Sequence, residues 1–148
     1  MSRGAQESVF MPSNPELTNG LIHLKSNYSV SETMARLEAA LKDRGLRLFA
    51  RIDHAAAAAE AGLEVRPTQV LLFGNPMVGT PMMLAAPTLA IDLPFRALIW
   101  EDATGQVWLT YNAPDYLASR HDVPDPLARN LNGLVDLLQK AAKAVQNG

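Results

Sequence analysis

The clearest hydrophobic pattern in the chain runs from residue 29 to residue 45. Ser29 and Glu32 stand at the spacing of a capping box, Val30, Met34, Leu37 and Leu41 recur at helical intervals, and Gly45 closes the run, which predicts an amphipathic helix. A short apolar stretch at Leu21 to Leu24 comes before it and reads as a strand. After it, Leu46, Leu48, Ala50 and Ile52 alternate with Arg47, Phe49 and Arg51, predicting a strand with one buried face. Asp53 then caps an alanine-rich helix from His54 to Ala61, stopped by Gly62. Val70 to Phe73 is a continuous apolar run, read as a buried strand ending at the turn signal Gly74, Asn75, Pro76. Thr80 and Pro81 form a cap and first-turn pair for a short helix through Ala85, which Pro87 ends.

Leu93 and Pro94 lead into a β-prone run, and Ala97 to Trp100 and Gln106 to Tyr111 flank a short polar turn, the pattern of an antiparallel hairpin. The tail opens with Asp125 and Pro126 at cap and first-turn positions, followed by Leu127, Leu131, Leu134, Leu138, Ala142 and Val145 on one face of a long helix that Gly133 weakens. Residues 1–18 mix polar and isolated apolar residues without a period and read as a poorly ordered arm, leaving 19–148 as one domain. A hairpin among these elements argues against a doubly wound sheet. The fold class expected is α+β: a two-layer sandwich with a mixed or antiparallel sheet and helices mainly on one face.

Composition narrows the chemistry more than the fold. With 148 residues and 48% hydrophobic content, the chain can hold a conventional core, and the absence of Cys removes thiol nucleophiles, iron–sulfur clusters and thiolate zinc sites. Thirteen Lys and Arg against fifteen Asp and Glu give a net charge of -2, so nucleic-acid binding is not expected. No run has the length of a signal peptide or a membrane span, and the expected location is cytoplasmic.

Several familiar motifs fail on inspection. Gly74, Gly79 and Thr80 stand at phosphate-loop spacing, but the Lys that the loop requires is missing; what remains is a helix start whose amides could hold a carboxylate or phosphate, or a plain turn rich in Gly and Pro. No HExxH, GxSxG or SxxK occurs, and the three His fall on separate segments, so no metal is assigned. Glu101 and Asp102 are adjacent carboxylates at a hairpin end, better read as a solvated turn than a catalytic dyad. Met77, Met82 and Met83 with Trp100 and Trp108 could line an apolar pocket, or be ordinary core. The leading candidate for chemistry is His54, at a strand-to-helix junction beside Asp53, as a neutral base, a hydrogen-bond partner or a metal ligand, against the blander reading of a histidine satisfied by backbone.

From Arg51 to Tyr111 the sequence resembles the bacterial and archaeal domain-of-unknown-function family 302. The resemblance rests on the Asp53-His54 pair, the alanine helix ending at Gly62, Arg66-Pro67, the Phe73-Gly74-Asn75-Pro76 turn, Gly79-Thr80, Leu93-Pro94 and Tyr111-Asn112. It implies a compact α+β domain, often dimeric, with His54, Asn75, Pro76, Thr80 and Tyr111 as positions of interest and no cofactor assigned. Together with the turn chemistry, the expectation is a cytosolic homodimer that holds a small polar or anionic ligand in one cleft built by His54, Asn75, Pro76, Gly79, Thr80 and Tyr111. The alternatives are an enzyme with His54 as general base oriented by Asp53 or Asn75, and a structural oligomerisation domain without a ligand.

Overall fold

The computed structural model describes residues 19–146. The expected arm at 1–18 lies outside the described residues, as do the side chains of Leu131, Leu134, Ala142 and Val145. Five strands, β1 (Leu21–Ser26), β2 (Arg47–Asp53), β3 (Thr68–Gly74), β4 (Phe95–Glu101) and β5 (Val107–Asn112), form one sheet in the order β1-β5-β4-β3-β2, with every neighbouring pair antiparallel. The helices are α1 (Val30–Asp43), α2 (His54–Glu60), α3 (Pro76–Ala85), a 3-10 turn (Pro87–Asp92), α4 (Pro114–Arg120) and α5 (Asp125–Gln146). The α+β class is confirmed, and the sheet is antiparallel throughout.

Strands β1 and β2 sit at opposite edges, so α1 has to carry the chain across the whole sheet. Fourteen helical residues span about 21 Å, matching the width of about 19 Å set by four strand spacings. The stripe read from the sequence is the one buried: Val30, Met34, Leu37 and Leu41 pack on Leu71, Phe73, Ala97, Ile99 and Leu109, with Leu138 of α5 in the same core. Ser29 Oγ accepts the Glu32 amide at 3.1 Å and caps the helix as expected. At the start of β1, Gly20 adopts φ +84, and a Cβ there would collide with the Tyr116 ring; only glycine lets α4 lie against this turn.

Three readings need correction. In β2 the alternation breaks at Phe49, where a bulge shifts the register between Leu48 and Ala50. Leu48 pairs with Phe73 on the helical side, while Ala50 and Ile52 pair with Leu72 and Val70 and turn to the opposite face, so the strand has no single buried face. Next, the short helix starts at Asn75 and Pro76, not at Thr80 and Pro81. Asn75 Oδ1 accepts the Met77 amide at 3.0 Å, Pro76 follows the cap, and Pro81 lies inside the helix. Finally, Pro87 and Pro114 each begin a helical turn that the sequence reading passed over.

Candidate functional site

The helices α1 and α5 lie over one face of the sheet. The opposite face carries, in register, Ile52, Val70, Leu98 and Thr110 across β2 to β5, with Leu72 paired to Arg96 and Leu21 paired to Asn112 along the next row. These side chains form a groove of about 430 Å³ to which His54 is added from the start of α2. The volume falls within the range of small-molecule sites. Its floor is aliphatic, from Leu21, Ile52, Val70, Leu72 and Leu98, and its cationic and ionisable groups are Arg96 and His54; no carboxylate lines it. Neither Arg96 nor His54 makes a side-chain ion pair or hydrogen bond with another described residue.

One end of this face is built by tryptophans. Trp100 and Trp108 are cross-strand partners, and Trp100 Nε1 donates to Thr110 Oγ1 at 2.9 Å while Trp108 Nε1 donates to Asp102 Oδ2 at 2.9 Å. Thr110 Oγ1 also lies 2.8 Å from His23 Nδ1, and the His23 ring meets Trp108 edge-on. His23 is only 7% exposed, and burial lowers its pKa below the usual histidine value, which favours the neutral ring. Asp102 is the hub of the hairpin turn. Desolvation pushes its pKa up, but hydrogen bonds from the Thr104 and Trp108 side chains and from the Thr104 and Gln106 amides outweigh it and bring the carboxyl down to about 2. Glu101 meanwhile pairs with Arg66 at 2.7 Å, so the two adjacent carboxylates brace the hairpin rather than face one another as a dyad.

The residues expected in one cleft are divided between two places. His54 and Tyr111 border the groove, whereas Asn75, Pro76, Gly79 and Thr80 line a separate, mostly apolar hollow of about 210 Å³ with Phe49, Met83 and Leu93. Asp53 pairs with Gln69, and Gly74 lies five steps farther along β3, a distance of about 17 Å along the strand. The segment 76–80 is helix rather than turn, and its amides are used: Met77 by the Asn75 side chain, Val78 and Gly79 by the Asn75 carbonyl at 2.9 Å each. The anion cradle expected there therefore has no free donors at its start. Tyr111 pairs with Ala97 and Ile22 on the helical side, is 3% exposed, and its hydroxyl has no hydrogen-bond partner among the described residues; burial raises its pKa.

Asp53 does not orient His54. Its Oδ1 accepts the Ala56 amide at 2.9 Å as the cap of α2, and its Oδ2 receives Gln69 Nε2 at 3.4 Å. Asn75 is equally committed to its own helix. Of the methionines, Met77 is 82% exposed and Met82 is core. Arg96 and Thr110 were missed by the sequence reading, and Asn112 was named only in the Tyr111-Asn112 pair, without a place in the site; the signal available was a lone Arg within the apolar run from Phe95 to Trp100. A second polar cluster joins the 3-10 turn to α4: His121 Nε2 lies 2.6 Å from Asp92 Oδ2 and its Nδ1 2.9 Å from Thr88 Oγ1, with Arg120 also on Asp92 at 3.2 Å. Among the described residues, no group of three His, Asp or Glu is placed to hold a metal ion, and no helix is long and apolar enough to cross a membrane.

A family model described as "Domain of unknown function DUF302" matches residues 22–145, which takes in the second hollow and, apart from Leu21, all five strands and the groove. The chain belongs to the DUF302 family. The crystal structure of an uncharacterized conserved DUF302 protein from Bacillus stearothermophilus superposes with a TM-score of 0.76 over 86% of this chain and 98% of that one, at 17% identity, a likeness of fold. Two curated relatives carry the name fluoride-specific ion channel: FluC 1 of Brucella suis biovar 1 (strain 1330) and FluC 2 of Brucella melitensis biotype 1 (strain ATCC 23456 / CCUG 17765 / NCTC 10094 / 16M), each 48% identical over 107 residues. Those residues are 72% of this DUF302 chain but only 42% and 40% of the two relatives, so the chain spans about two fifths of their length.

Proposed function

We propose that this DUF302 domain is a cytoplasmic binding module that holds a small anionic molecule in the groove on the helix-free face of its sheet. The observation that carries the reading is a cation without compensation: Arg96 lines a groove that has no carboxylate, with His54 also on its lining, and neither has a side-chain partner among the described residues. A cation left unpaired beside an apolar floor is a ready acceptor for a ligand anion, because guanidinium offers carboxylate and phosphate a rigid pair of donors. The ligand reading keeps His54 and gives up the 74–80 segment as its second wall. An enzymatic role for His54 is weaker, since both residues expected to orient it cap helices instead.

The Brucella relatives, by name fluoride-specific ion channels, give the module a setting. The matched segment is a minor share of each, so there it reads as an accessory domain beside the remaining three fifths, and here as the same module. A second reading, in which two copies associate, is supported by the exposed apolar side chains Phe49 and Ile52 on β2 and Leu63 and Val65 in the loop after α2.

A thermal-shift panel of carboxylates, phosphates and nucleotides tests the ligand reading, with the mass in solution followed by light scattering on the same samples. An anion at a hundredfold excess over its Kd stabilises the wild type by about 2.7 kcal/mol, and Arg96→Ala abolishes the shift while keeping the same circular dichroism. Silence across the panel, or an equal shift in Arg96→Ala, defeats the ligand reading; silence with a stable dimer favours association.

A further inference from the structure

We infer that the anion held by this groove is the head of an amphiphile, a free aliphatic monocarboxylic acid of medium chain length. The inference rests on the groove being the binding site and adds which molecules it accepts.

The arrangement of the lining separates charge from grease. Ile52, Val70 and Leu98 are cross-strand partners in one continuous row over β2, β3 and β4, so the floor between the second and fourth strands of the chain is aliphatic without interruption. Two strand spacings make that floor about 10 Å long. Arg96 lies one same-face position from Leu98 on β4, and Asn112 borders the same end of the groove from β5. The carboxylate then sits at Arg96, which grips its two oxygens, with the Asn112 side-chain amide as a further donor, and the chain runs over Leu98 and Val70 toward Ile52. Leu72 and Leu21 flank the head end, so apolar side chains border the polar contact.

Charge complementarity decides against the other occupants of such a trough. A neutral hydrocarbon leaves Arg96 bare, and a cationic amphiphile meets a guanidinium of its own sign. A small inorganic anion leaves the aliphatic row uncovered. The one carboxylate close to this end, Asp92, borders an adjoining crevice with Arg96, but it is held by His121 at 2.6 Å and Arg120 at 3.2 Å and does not neutralise the site.

The two tryptophans of the chain provide the readout, because both lie on this face and Trp100 Nε1 is bonded to Thr110, itself part of the groove. The experiment is a fluorescence titration of the full chain with acetate, butanoate, hexanoate and octanoate, and with octylamine and octanol as controls. Each added methylene is expected to lower the Kd about fourfold, octylamine is expected to give no saturable change, and Arg96→Ala to weaken octanoate at least tenfold with Arg96→Lys between. Val70→Thr, close in shape to the original, is expected to flatten the dependence on chain length without changing circular dichroism.

If acetate binds as tightly as octanoate, the amphiphile is wrong while the anion site stands. If octanoate and octanol bind alike, and Arg96→Ala changes nothing, the groove is only a greasy face and both readings fall. Binding to vesicles of phosphatidylglycerol with no response to free octanoate overturns the free acid in favour of a lipid surface.

Discussion

Thr110 connects three strands through one hydroxyl, with His23 from β1 on one side and Trp100 from β4 on the other. That contact fixes the tryptophan end of the open face and places a buried histidine next to it. Because burial lowers the folded-state pKa of His23, the unfolded chain binds its proton more tightly than the native one. The stability tied to this group is therefore present above the ordinary histidine pKa near 6.5 and is lost as the pH falls below it. Urea unfolding between pH 7.5 and pH 5 is expected to show the wild type weakening toward acid and His23→Gln weakening less. Equal slopes in the two proteins refute the burial argument; His54 and His121 are common to both and cancel.

At the level of elements, α3 gives the sharpest check on how the chain was parsed. Asn75 is its cap, so Asn75→Ala should cost about 0.5–2 kcal/mol in chemical denaturation, and Thr80→Ala much less; the reverse order would restore the helix start at Thr80. The sequence holds two candidate starts in series, Asn75-Pro76 and Thr80-Pro81, with the same chemistry at each. Nothing local chooses between them. The choice comes from β3, which pairs as far as Gly74 with Arg47 and so leaves Asn75 as the first residue free to cap. The helix α1 was legible because its cap, its apolar stripe and its terminating glycine agree, and every expected core position in it is buried. In β2 a period of two was real in the letters and false in space, since one bulge at Phe49 reverses which side chains face the helices. The groove residues Arg96 and Thr110 were invisible for a related reason, and Asn112 was legible only as half of the Tyr111-Asn112 pair: the three become neighbours only through pairing across β4 and β5.

Over the whole molecule, the proposed function rests on an asymmetry between the two faces of one sheet. The helical face is closed by α1 and α5 and has a packed apolar core. The other face is left as an apolar trough with an uncompensated Arg96, which an antiparallel sheet tolerates only where something polar or a ligand meets it. The most direct test is an amide correlation spectrum of the labelled domain titrated with octanoate. The account predicts saturable shifts concentrated at Ile52, Val70, Leu72, Arg96, Leu98, Thr110 and Asn112, with the 74–80 segment unmoved. Shifts confined to Asn75, Gly79 and Thr80, or none at any residue, would contradict it.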